Sequence, residues 1–469
     1  MQMTRVQELF DHLAGVVQVD GDQITVLNET GLPEKIDELV WTAVFGDGLA
    51  RDTARWLIWE IGLAVGLYPA SIHELYMAVG RGDVPHTFTV PAMNIRAMNY
   101  NTSRAVFRAA NKLGVGAMLF EIARSEIGYT GQRPSEYTAS VMAAALKEGH
   151  RGPLFIQGDH FQISAARYAS NGEAEVQAVK DLMVEAIAAG FYNIDIDTST
   201  LVDLSFPTLD EQQKVNYSLC AALTKHVREL EPEGVTISLG GEIGEVGHKN
   251  STVEELHAFM QGYQREVGDA AGISKISVQT GTSHGGVVLP DGTLADVSVD
   301  FDTLRDLSQV ARDKFGIGGA VQHGASTLPS SAFGKFPEVG TLEIHLATGF
   351  QNIIYDLLPQ NLVDAAYDFC REKHANQWKE GKTEEQFLYS NRKRAIGEFK
   401  QEWWQLDAGK QAEIGGALEK QFAFLFEKLN VGNTLKVAES ATTKVLVHQA
   451  RPAAAAAAVG EEDVSDLAD

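Results

Sequence analysis

The sequence predicts a (β/α)8 barrel with helical extensions at both ends. Three observations predict it. From about His86 to Gln351, short β-rich runs alternate with amphipathic helical segments, the pattern of βα units on a parallel sheet. The runs number eight, the count of a closed barrel; an open doubly wound sheet would account for fewer, and no GxGxxG follows the first run. Each run begins apolar and turns polar or glycine-rich at its C-terminal end, where the loops of a barrel meet around one mouth.

The eight runs are TFTVPAMN (87–94), GAMLFEIA (116–123), PLFIQGDH (153–160), NIDIDTS (193–199), TISLGGEIG (236–244), KISVQTGT (275–282), GAVQHGAS (319–326) and LEIHLATG (342–349). Between them lie helix-like stretches such as TSRAVFRAANKLG, AEVQAVKDLMVEAIAAG, EQQKVNYSLCAALTKHVREL and DTLRDLSQVARDKFG. Residues 1–85 read as a helical extension, with QITVL as the main strand signal. The barrel spans 86–351, and helix returns over 352–449 to complete or flank it. The end, 450–469, is an alanine run followed by acidic residues and reads as a disordered, solvated tail.

Composition narrows the function. A formal net charge of -24, from 39 basic and 63 acidic residues, argues against nucleic-acid backbones and anionic membrane surfaces as partners. A small phosphorylated ligand remains compatible, because a few local donors hold one anion whatever the global sign. Cys220 and Cys370 are far apart and lack zinc-finger spacing, so they read as reduced core thiols in a cytoplasmic protein. The N-terminus MQMTRVQELFDHL has no apolar signal core. The most apolar stretch, Trp56 to Leu67, is too short to span a bilayer, carries Glu60, and reads as a buried helix.

Among 13 histidines, His12, His73, His226, His257 and His374 sit in helical patterns with nothing to mark them out. His160, His284 and His323 differ, because each closes a predicted strand at one face of the barrel. Three neutral imidazoles converging on a point, with a fourth position open, form a catalytic zinc arrangement. Two glycine loops, SHGG at 283–286 and HGAS at 323–326, abut these histidines. Their backbone N–H groups, at Gly285 and Gly324 among others, and the Ser326 hydroxyl suit a phosphate.

GDHFQ (158–162), GEIGEVG (241–247), QTGTSHGG (279–286) and VQHGAS (321–326) together resemble the ordered motif set of the class II fructose/tagatose-bisphosphate aldolases, of which this chain is a divergent relative. The resemblance covers about 86–351. It implies a zinc-dependent aldehyde-lyase of carbohydrate metabolism that cleaves a phosphorylated ketose reversibly, through one catalytic Zn2+ with room for a second divalent ion. It implies His160, His284 and His323 as ligands, and Asp159 as the group exchanging a proton with the hydroxyl at the cleaved bond. Since neighbouring strand residues diverge, Asp159 is expected to face substrate while His160 reaches metal. Asp197 and Glu242 match carboxylates that ligate the metal or orient its histidines. Asn94 matches a substrate-contacting asparagine.

The departures concern substrate. On the eighth strand the family reads Lys-Ile-Asn-Ile-Asp, and this chain reads Glu343-Ile344-His345-Leu346-Ala347, leaving His345 as the polar contact. Where the family carries a proton-shuttling acid after Glu242, this chain has Lys249-Asn250, with Glu245, Glu254 and Glu255 nearby. The first glutamate of the family's Glu-x-Glu is Gly240. Arg392, Lys393 and Arg394 form a basic cluster that could meet a second phosphate or be a solvated helix face. Poor cleavage of fructose 1,6-bisphosphate is therefore expected. Alternatives are another metal-dependent lyase or isomerase of sugar phosphates, and a metal-binding barrel with a regulatory or structural role. A homo-oligomer is the default expectation.

Overall fold

The computed structural model describes residues 5–244, 249–281, 289–290 and 298–453. Its centre is a closed parallel barrel. In chain order the strands are β1 (Val17–Asp20), β2 (Gln23–Val26), β3 (Leu67–Ala70), β4 (Val90–Asn94), β5 (Leu119–Ala123), β6 (Gly152–Gln162), β7 (Asn193–Asp197), β8 (Ser238–Glu242), β9 (Lys275–Val278), β10 (Ala320–Gln322) and β11 (Glu343–Leu346). Strands β4 to β11 pair each with the next, and β11 pairs with β4, which closes the ring of eight. All eight predicted runs thus form the barrel.

Local signals set the helices between them. The helix Val253–Val267 opens on a Thr252–Glu255 capping box, and Phe301–Phe315 opens on Asp300, whose carboxylate accepts from Thr303 N at 3.0 Å. Gly114 and Gly316, both left-handed at φ 66° and 67°, end the helices that follow β4 and β9.

The N-terminal region is less uniformly helical than its pattern suggests. β1 and β2 form a hairpin, turned at Gly21 (φ 61°), where VQVD and QITV alternate in burial. The apolar run from Trp56 is helical only to Ala64; Gly66 (φ 81°) breaks it, and Leu67–Ala70 become β3. β3 lies parallel to the first half of β6, outside the barrel ring, so β6 pairs with β3 below and β7 above. An 11-residue strand serves both.

The longer C-terminal helices are Thr348–Leu357, Gln360–Lys373, Glu384–Asn391, Ala408–Lys428 and Leu435–Ala441, with the short helices Ala395–Glu398 and Lys400–Trp404 among the segments between. Helix was expected to Gln449, yet it ends at Ala441. The stretch after it runs as a non-helical strap over the helix Gly48–Ala64: Trp59 Nε1 donates to Val447 O at 2.8 Å, and Trp56 Nε1 to Gln449 O at 2.9 Å. Glu60, buried in that helix, accepts from Gln449 N at 2.8 Å. Among the described residues no helix is long and apolar enough to cross a membrane. Cys220 and Cys370 are both buried free thiols. Most of the tail reading, 454–469, lies outside the described residues.

Candidate active site

The barrel interior is polar in two layers. In the lower one, Lys275 on β9 is fully buried; its Nζ lies 2.7 Å from Gln157 Oε1, 2.9 Å from Asp195 Oδ1 and against Glu343. Tyr76, rising from the helix His73–Arg81, donates its hydroxyl to Glu343. Gly240 belongs to this layer: a Cβ there would overlap Asp195 Oδ1 and touch Lys275, so the lysine–aspartate pair fills the room a glutamate side chain would need. Where the family has lysine at position 343 and glutamate at 240, this chain has Glu343, Gly240 and a cation supplied by Lys275.

The upper layer opens at the mouth. β6 carries a register shift between Gly158 and Phe161, and inside it His160 adopts φ 39°, a left-handed conformation costly for a non-glycine residue. The Phe161 ring folds back onto Gly158, where any Cβ would collide with it. The bulge corrects the expectation that Asp159 and His160 diverge as strand neighbours do. Both turn into the mouth, with His160 Nε2 3.9 Å from Asp159 Oδ1. Ring centroids of His160 and His323 are 4.4 Å apart, and those of His323 and His345 are 4.0 Å apart.

Each imidazole is held from behind. His160 Nδ1 lies 2.9 Å from Asp197 Oδ2, and Asp197 also accepts from Gln162 Nε2 at 2.6 Å and the Ser199 hydroxyl at 2.7 Å. Glu242 Oε2 is 3.7 Å from His160 Nδ1. His323 Nε2 sits 3.0 Å from the Ser277 hydroxyl. His345 Nε2 lies 2.7 Å from Glu343 Oε1, and its Nδ1 is 3.1 Å from Glu121 Oε2 and 3.2 Å from Asp159 Oδ1. Asp197 thus orients His160, while Glu242 stands close enough to share an ion.

Ionisation follows these contacts. Burial pushes the Glu121 carboxyl up to about 7, helped by the neighbouring Asp159 charge. Burial and Asp197 likewise raise Glu242 well above the usual carboxylate range. Burial opposes ionisation of Asp159 too, yet His160 and His345 together hold it well below that range. Six carboxylates, of Glu121, Asp159, Asp195, Asp197, Glu242 and Glu343, are buried in this interior, and among the described residues the buried lysine is Lys275. Burial favours the neutral form of Glu121 and Glu242, while neighbouring carboxylates favour the charged form of His160 and His345.

A narrow pocket in the mouth is bounded by Asn94, Arg96, Glu121, Asp159, His323, Gly324, Ser326 and His345, among others. Glu126 accepts from Asn94 Nδ2 and from Arg96 Nε, both at 2.6 Å, which turns Asn94 Oδ1 away from it. Gly324 (φ 68°) opens a short turn, Ala325–Thr327, and the Ser326 hydroxyl oxygen accepts from Ala347 N, leaving its proton to donate.

Other expected residues stand elsewhere. His284, Gly285 and Glu245 lie outside the described residues. Lys249 pairs with Glu255 at 2.6 Å, Glu255 caps its helix, and Glu254 is exposed in the first turn. Arg392 is neither a solvated face nor open to a phosphate: it is buried between the Tyr355 and Tyr389 rings, and its Nη2 bonds Asn352 at 2.7 Å. Sequence reasoning missed Glu121, Asp195, Lys275 and Glu343. Their signal was a charged residue inside an otherwise apolar parallel strand, a costly placement unless it is used.

Fold and site together define a barrel whose mouth gathers imidazoles and carboxylates fit for a divalent ion. The chain belongs to the fructose-bisphosphate aldolase class-II family, whose model matches residues 84–403. Among curated relatives, the D-tagatose-1,6-bisphosphate aldolase subunit GatZ of Escherichia coli K12 is 26% identical over 136 residues. That match spans 28% of this chain and 31% of GatZ. Among solved structures, the fructuronate-tagaturonate epimerase UxaE of Cohnella laeviribosi is similar in fold, with TM-score 0.56 and 11% identity over 90% of each chain.

Proposed function

We propose that this chain is a metal-dependent aldehyde-lyase that reversibly cleaves a phosphorylated ketose to a dihydroxyacetone-phosphate-like ketone and an aldehyde. One observation carries the reading: Asp159, His160 and His323 offer ligand atoms all within 4.8 Å of one another, at strand ends inside the family match. Imidazole and carboxylate donors in a buried mouth suit zinc or a similar ion. His160 and His323 would hold it with His284, and Glu242 stands beside them. When bound, the ion supplies Lewis-acid stabilisation of the charge that develops on the ketone.

The chain's own residues do the rest. Asp159 exchanges the proton of the hydroxyl at the cleaved bond. Asn94, held by Glu126, lines the same side of the mouth as Asp159. Gly324 and Ser326 offer donors to the phosphate, with Gly285 on the neighbouring loop. His345 takes the place of the family's asparagine, and Ala347 supplies no carboxylate, so selectivity shifts away from fructose 1,6-bisphosphate.

One observation favours a second reading, a barrel acting as one subunit of a larger aldolase. His345 fills the mouth, paired with Asp159 and stacked on His323, and GatZ is itself described as a subunit. A panel of ketose phosphates, assayed for dihydroxyacetone phosphate release with zinc-loaded and chelator-treated protein, separates the two. Metal-dependent release from one panel member is expected, with kcat/KM on fructose 1,6-bisphosphate below about 10⁴ M⁻¹s⁻¹. Release from none, by protein that retains its metal, would favour the subunit.

A further inference from the structure

The family residues around His160 and His323 leave half of the mouth unexplained. On the β4–β5 side, Glu121, Asp159 and His345 bring a second set of ligand atoms within 4.8 Å of one another. The spacings of 3.1 Å (His345 Nδ1 to Glu121 Oε2) and 3.2 Å (His345 Nδ1 to Asp159 Oδ1) resemble the edges of a metal coordination shell with bonds near 2.1 Å.

A second observation points the same way. Asn94 Oδ1 is buried and meets no hydrogen-bond donor among the described residues, and the same holds for Glu121 Oε1. Asn94 is 2% exposed and Glu121 0%. Both residues line the pocket that Asp159 and His345 line. The Asn94 amide cannot rotate to cure its oxygen, because its nitrogen is already bonded to Glu126 at 2.6 Å. Buried acceptors without donors are costly, and a cation satisfies several at once.

We propose that Glu121, Asp159 and His345, with the amide oxygen of Asn94, form a second cation site that takes a divalent first-row ion. Three oxygens and one imidazole nitrogen suit manganese, iron or zinc. Asp159 belongs to both ligand sets, so its carboxylate would stand between the two positions. The inference rests on donor geometry and not on the aldolase activity.

The test is a titration of chelator-stripped protein with Mn2+, with free ion counted by electron paramagnetic resonance and folding checked by circular dichroism. The wild type should bind two ions per chain. Glu121→Gln and His345→Asn should each bind one, and so should the His160→Ala/His323→Ala double variant. If His345→Asn fails to fold, Glu121→Gln alone decides. A wild type that binds one ion, kept by Glu121→Gln and lost by the double variant, overturns the second site and leaves the histidine centre standing. One ion lost by Glu121→Gln and kept by the double variant supports this site and removes the histidine centre. No bound ion overturns both.

Discussion

Asp197 Oδ2 lies 2.9 Å from His160 Nδ1, and that contact fixes which edge of the imidazole faces the barrel mouth. The Nε2 edge is left toward Asp159, and the bulge in β6 holds the ring there at some backbone cost. Carboxylates that orient a ligand histidine set both its tautomer and its basicity. Asp197→Ala should therefore weaken ion binding about 10- to 100-fold without abolishing it. Competition with a chromophoric chelator measures this, and unchanged affinity would show that His160 needs no support.

Asp159→Asn should lower kcat by about 10² to 10⁴ with little change in KM, as expected for a group that moves a proton. An ion held by His160 and His323, as proposed, should stay, since both imidazoles remain. Steady-state kinetics on the best ketose phosphate, beside metal analysis, checks both halves. Full activity would make Asp159 a structural carboxylate.

Lys275→Met leaves Asp195 and Glu343 buried without their cation. Removing one partner of a buried pair costs about 3–5 kcal/mol, and urea denaturation should show a loss of that order. Adding Glu343→Gln to Lys275→Met should recover part of it. A loss under about 1 kcal/mol, the range of exposed pairs, would mean water reaches this layer.

Two histidines away from the mouth make stability depend on pH. Burial lowers His73 and His150 to about 4, against an ordinary value near 6.5. The folded state thus keeps both neutral, and their contribution is complete above pH 6.5. It is lost as pH falls from 6.5 toward 4, because the unfolded chain takes up protons that the folded one resists. His150→Gln should lose less of its urea midpoint over that window than the wild type. An equal slope in the variant would place the acid sensitivity elsewhere.

The barrel was legible because β-rich runs and helices alternate at regular intervals, and turn chemistry punctuates them. The strand-end positions of His160 and His323 were legible for the same reason. Glu121 and Glu343 were not, because single acids inside LFEIA and LEIHL read as interruptions of apolar strands until the ring closes and turns them inward. β3 escaped notice because LYPA continues an apolar run that already reads as helix, and only the left-handed Gly66 ends it. The divergence expected of Asp159 and His160 failed for a local cause, since one residue of bulge reverses strand alternation.

The strap at Val447 and Gln449 sets an order in time. Trp59 and Trp56 find their carbonyl partners 388 and 393 residues later in the chain, so this seam stays open until that distant stretch has been made. Contacts of such separation carry the full entropy of loop closure and form late. Until they do, Glu60 lacks the backbone N–H of Gln449, and two indoles stand unbonded beside it. Closing the seam therefore comes after the contacts of nearer segments, and the two indoles are a built-in fluorescence report of that step.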